Sequence, residues 1–181
     1  PMVRWLEANG YNVSYTTDVD TDRYGSELLE HKVFMSVGHD EYWSGQQRAN
    51  VEAARDHIGG NGPVSLAFFS GNESYWKTRW ETSIDGSGQT YRTLVCYKES
   101  KSNAQTDPLD LTQGVWTGTW RDSRFSPPAD GGQPENALSG TMYMNDRTNV
   151  DLGIPLTVSS ADSALRFWRS SAVASLSAGQ T

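Results

Sequence analysis

Two apolar runs of strand length, each closed by a glycine and separated by one well-capped helical pattern, constrain this chain more than any other feature. The first reads Lys32-Val33-Phe34-Met35-Ser36-Val37-Gly38 and the second Val64-Ser65-Leu66-Ala67-Phe68-Phe69-Ser70-Gly71. Nearly continuous apolar character over roughly four to eight residues is what a strand buried in a parallel sheet requires. Between the two runs, Ser44 is placed to cap a helix, with Gln47 at capping-box spacing and Val51, Ala54 and Ile58 as its apolar stripe. Gly59-Gly60-Asn61-Gly62-Pro63 ends that helix. A strand, a helix and a second strand in this order predict a right-handed crossover between parallel strands.

The flanking pattern extends the alternation. Residues 2–9 have apolar side chains at helical spacing between Pro1 and Gly10, and residues 11–17 alternate as a strand would, with Val13 and Tyr15 on one face. A helical piece over residues 26–31 completes an αβαβαβ order through residue 80, which predicts an open parallel sheet with flanking helices. From residue 81 the runs 91–98, 115–120, 141–144, 155–159 and 164–168 are short, strand-like and punctuated by Gly, Pro, Asn and Asp, predicting a β-rich extension of the same domain. A length of 181 residues suits one domain. The helical start at Pro1 and the plain Ser/Ala/Gly end predict a fragment of a longer chain.

Charge and composition narrow the function. The formal net charge is -7 with no Lys/Arg cluster, which argues against nucleic acid as a partner. No apolar stretch approaches the length of a membrane span. The single cysteine, Cys96, lies in the apolar run Thr93-Leu94-Val95-Cys96-Tyr97 and reads as a structural thiol, since nothing nearby in sequence would generate a thiolate. The acidic turn over residues 18–22 lacks the Gly and Glu positions of a calcium-binding loop, so helix capping and solvation account for it better.

Ligands of an open parallel sheet bind beyond the carboxyl ends of its strands, so the chemistry is expected at the two polar sequences found there. The first strand runs into His39-Asp40-Glu41. In extended geometry His39 and Glu41 share a side opposite Asp40, pairing an imidazole with a carboxylate for acid–base work or for one metal ligand and its orienting partner. The second ends at Ser70-Gly71-Asn72-Glu73-Ser74, an elbow whose central residue is an amide. Asn72 can orient a carbonyl or donate to an oxyanion but cannot attack, and neither Ser70 nor Ser74 is spaced to meet a base. The same residues can equally cap the following helix and bind loop amides. Tyr42, Trp43, Tyr75, Trp76 and Trp80 can wall a pocket or simply pack.

The motifs Val37-Gly38-His39-Asp40-Glu41-Tyr42-Trp43-Ser44, Leu66-Ala67-Phe68-Phe69-Ser70-Gly71-Asn72 and Tyr75-Trp76-Lys77-Thr78-Arg79-Trp80-Glu81 together resemble the C-terminal domain of the N,N-dimethylformamidase large (beta) subunit family. The resemblance continues through residues 92–98, 117–122 and 134–138. It implies a fold similar to class I glutamine amidotransferases, with flavodoxin-like strand order, and hydrolysis of a C–N bond in a small linear amide. It implies an iron held by two tyrosines and a glutamate, with the glutamate at Glu41, its histidine neighbour at His39 and an active-site asparagine at Asn72. Tyr11, Tyr15 and Tyr24 are the only tyrosines before Glu41, and none matches a ligand position, so the ligand set is incomplete in this chain. The partners implied are a small amide, other domains of the same longer chain and, as an open alternative, an oligomer. The family includes many secreted multi-domain bacterial proteins, so a non-catalytic binding or structural module of such a protein is the competing expectation.

Overall fold

The computed structural model describes residues 1–109, 116–122, 132–143 and 157–180. The chain forms two compact units, Pro1–Met144 and Asn145–Thr181. The first is a mixed α/β unit. Its elements are helix α1 (Met2–Ala8), helix α2 (Asp18–Arg23), a 3₁₀ helix (Gly25–Glu30), β1 (Val33–Ser36), β2 (Tyr42–Ser44), α3 (Gly45–Arg55), β3 (Ser65–Phe68), β4 (Trp76–Glu81), β5 (Thr93–Val95), α4 (Glu99–Ser102) and α5 (Asn136–Ser139).

The crossover read from the sequence is present: β1 and β3 pair in parallel, with Phe34 opposite Leu66 and Ser36 opposite Phe68. A second sheet has the order β2-β4-β5, parallel between β2 and β4 and antiparallel between β4 and β5. Helix α3 forms because Ser44 accepts the Gln47 amide at 3.0 Å and Val51 and Ala54 recur on one face. That face buries against Trp43, Leu28, Val64 and Leu138, with Phe34, Leu66 and Phe68 beneath. Fully burying a side chain such as Val51 contributes about 1.5–3 kcal/mol. Trp43, wholly buried, meets the Phe34 ring edge-on with centroids 6.1 Å apart.

Several expectations are corrected. The capping box is half formed, because the Gln47 side chain leaves the helix to donate to Asp18 Oδ1 at 2.9 Å. Helix α3 stops at Arg55, and Ile58 is 97% exposed rather than part of the stripe. Residues 11–17 form no strand, since no strand among the described residues takes up their amides; Tyr15 turns its hydroxyl to Glu7 at 2.6 Å. The acidic turn is helix α2, capped by Thr17 accepting from Asp20, and its first-turn carboxylates face the favourable end of the helix dipole. Among the described residues the β1–β3 pair is covered on one side only: Val33, Val37 and Phe69 are exposed on the other.

The predicted β-rich half is realised only by β5 and an isolated bridge between Thr119 and Trp76 among the described residues. Residues 141–143 and 157–159 form no strand, and the rest of those two runs lies outside the described residues. In the second unit, residues 166–168 form a 3₁₀ turn, followed by another at Ala172–Ser175. Here the backbone satisfies itself locally, with Leu165 N donating to Asp162 O and Trp168 N to Leu165 O, while Phe167 is left 81% exposed. Alternating apolar residues specify a strand only when a partner strand completes the ladder.

Candidate functional site

The segments leaving the carboxyl ends of β1 and β3 run side by side and are fastened by their backbones. Phe69 N donates to Ser36 O at 3.0 Å, Ser74 N to Asp40 O at 2.8 Å, and Tyr75 N and Trp76 N both to Glu41 O, at 2.9 and 2.7 Å. Gly38 turns the first segment at φ 96°, a conformation open to glycine. Asn72 and Ser74 hold φ values of 62° and 49°, a left-handed backbone that residues with a Cβ adopt at some cost. The chain after Asn72 passes through a turn into β4.

This clamp sorts the polar side chains onto two sides. On one side Asn72 Nδ2 donates to Glu41 Oε2 in a close contact, and Asn72 Oδ1 is buried with no hydrogen-bond partner among the described residues. Lys98 Nζ lies 5.1 Å from the ring centroids of both Tyr42 and Trp76. A hydrogen bond to Tyr42 and the nearby Glu41 carboxylate hold the Lys98 ammonium above its usual range, despite some desolvation. Cys96 is close to the same charges, yet burial dominates and pushes its thiol up, in keeping with a structural role.

On the other side Ser36 Oγ sits 2.9 Å from Asp40 Oδ2 and 2.8 Å from Glu73 Oε2. One hydroxyl carries one proton, so it donates to only one of the two carboxyls; the other contact forms when that carboxyl is itself protonated and donates to the serine oxygen. Glu73, 2% exposed, is pushed up to about 7, chiefly by burial, with the Asp40 and Asp18 carboxylates adding to it. Asp40 is also raised, by burial first. Asp18 reaches about 6 through burial and the Asp40 charge, against the bond from Gln47. Three carboxyls on α2 and the two segments therefore share a low-dielectric space that cannot hold three charges cheaply.

Of the residues singled out from sequence, Glu41 and Asn72 are brought together. His39 is not paired with Glu41: it is exposed and makes no hydrogen bond or ion pair among the described residues. Ser70 donates to Gly71 O and Ser74 Oγ is buried without a partner, so neither hydroxyl meets a base. Trp43 belongs to the core, while Tyr75 and Trp76 pack edge to face with centroids 5.0 Å apart beside Glu41. Sequence reasoning missed Ser36 and Glu73, although their alternation with Asn72 and Val37 was visible, and Lys98, for which no local signal exists.

Among the described residues no three His, Cys, Asp or Glu side chains converge as a metal-binding group. Glu41, held by Asn72 Nδ2, supplies one hard oxygen donor of the kind an oxygen-rich metal centre uses.

A family model described as N,N-dimethylformamidase beta subunit-like, C-terminal, matches residues 1–181. No curated protein and no solved structure matches the chain.

Proposed function

Since the chain belongs to that family over residues 1–181, we propose that it supplies part of the active site of an enzyme hydrolysing the C–N bond of a small linear amide. In this reading the β1–α3–β3 crossover is the nucleus of a class I glutamine amidotransferase-like sheet. Glu41 would be a ligand of an iron ion, with tyrosine ligands from outside the described residues. The metal, when bound, polarises the amide carbonyl and acidifies water, so no protein nucleophile is needed. Asn72 fixes the Glu41 carboxylate through Nδ2 and presents the amide group that orients the substrate. His39, exposed two residues before Glu41, shuttles the proton to the leaving amine. Lys98 sets a positive charge over the Tyr42 and Trp76 rings beside Glu41.

The observation that supports this reading is the Glu41–Asn72 contact at the carboxyl ends of two parallel strands, where side chains from separate segments converge. It is tested by elemental analysis and turnover of N,N-dimethylformamide by the longest natural chain containing these residues, as wild type and Glu41→Ala. Near-stoichiometric iron and activity that both vanish in a folded variant support it. A folded, metal-free and inactive wild type overturns it in favour of a non-catalytic binding module.

A further inference from the structure

A cavity lies at the other end of the β2–β4 pair, away from Glu41 and Asn72. It is an open cleft of about 750 Å³ whose lining includes Asp22, Thr78, Arg79, Trp80, Glu81 and Tyr91. We propose that this cleft binds a neutral saccharide.

Unfilled hydrogen-bonding capacity is the first ground. Thr78, 1% exposed, has a hydroxyl with no partner, and the Trp80 indole N–H has none either. Both follow one face of β4, since side chains two apart on a strand point the same way. Asp22 is 7% exposed and accepts from Ser44 Oγ through Oδ2, while its Oδ1 accepts no hydrogen bond among the described residues. Buried polar atoms are nearly always satisfied, so the two on β4, with the open Oδ1 of Asp22 beside them, call for a ligand carrying both donors and acceptors.

Charge is the second ground. The lining holds Asp22 and Glu81 against Lys77 and Arg79, so it selects neither an anion nor a cation. Arg79 is already committed, donating to both Asp107 oxygens and to Glu81 Oε1 at 2.8 Å. A neutral polyhydroxyl compound matches acceptors and donors interleaved in this way.

The third ground is aromatic. Trp80 and Tyr91 flank the polar groups, giving apolar faces of the kind that pack on the C–H face of a sugar ring. Tyr91 holds φ 57°, which is a genuine outlier for a bulky residue, and the Arg23 guanidinium lies 4.8 Å from its ring centroid. It remains 37% exposed at the cleft.

The test uses cellohexaose, xylohexaose and maltohexaose as probes, with polygalacturonate and 1,6-hexanediol as comparators, and follows the Trp80 indole N–H resonance of the purified chain. Saturable shifts with at least one neutral hexasaccharide support the proposal. So does an affinity weakened about threefold to tenfold in Trp80→Phe. Tyr91→Gly should weaken binding similarly without lowering the melting temperature, because its left-handed backbone suits glycine. No shift with any of the three saccharides overturns the proposal. A stronger response to polygalacturonate or hexanediol also overturns it, as does binding unchanged in both variants.

Discussion

Ser36 Oγ stands 2.8 Å from Glu73 Oε2 while also contacting Asp40, so the serine joins two buried carboxyls with a single hydroxyl proton. The native state keeps a proton that the unfolded chain releases at lower pH.

Glu73 rises from an ordinary 4.5 to about 7. Its contribution is complete below about pH 4.5, falls as the unfolded chain ionises, and is fully lost above about pH 7. The loss amounts to at most about 3 kcal/mol. Urea midpoints taken from pH 5 to pH 8 should fall with rising pH. Glu73→Gln, which imitates the protonated carboxyl, should flatten that slope. An unchanged slope in the variant would remove Glu73 as its cause.

Glu99 is completely buried, with Oε1 accepting from Thr106 N and Asp107 N at 2.8 and 3.0 Å and Oε2 from Thr117 N at 3.2 Å. Glu99→Ala strands these amides and should cost about 3–5 kcal/mol. Glu99→Gln keeps an acceptor and should cost roughly half. Chemical denaturation distinguishes them, and equal effects would mean that the carboxylate is not what staples this loop.

Arg48, 2% exposed, donates to Glu52, to Gln133 O at 2.8 Å and to Pro134 O at 3.3 Å, and stacks 4.7 Å from the Trp120 ring centroid. A lysine ammonium cannot reproduce that planar fork. Arg48→Lys should lose about 2–3 kcal/mol in thermal or urea unfolding, despite the retained charge. A loss below 0.5 kcal/mol, roughly the size of an exposed ion pair, would contradict the clamp.

At Gly118 an added Cβ would lie 2.0 Å from the Trp116 ring, and that ring is wholly buried. Gly118→Ala should therefore destabilise by about 3 kcal/mol or more. Gly10, with open space around its Cβ position but φ 73°, should lose only about 1 kcal/mol on the same change. Melting temperatures of the two variants give the order, and its reversal would refute the packing at Trp116.

The crossover was legible because each of its signals is local: two apolar runs, a serine cap at Ser44 and the Val51–Ala54 stripe. Glu41 and Asn72 were legible as candidates because they follow strand ends. What was not legible depends on partners distant in sequence. Residues 42–44 and 76–81 become strands by pairing with each other, and residues 11–17 fail to become one because no strand among the described residues pairs with them. His39 shares a side with Glu41 only in an extended segment, and Gly38 turns the chain at the start of that segment. Lys98 reaches Tyr42 through a fold-back that no spacing announces.

The backbone bonds from Ser74 to Asp40 and from Tyr75 and Trp76 to Glu41 couple assembly of the site to the order in which the chain folds. These contacts join segments separated by two strands and a helix, so they close only after a long excursion of the chain has already been restrained. The geometry of the candidate site is thus non-local: a chain that contains α3 but lacks the β1–β3 pairing has no such site, even with every one of its residues present.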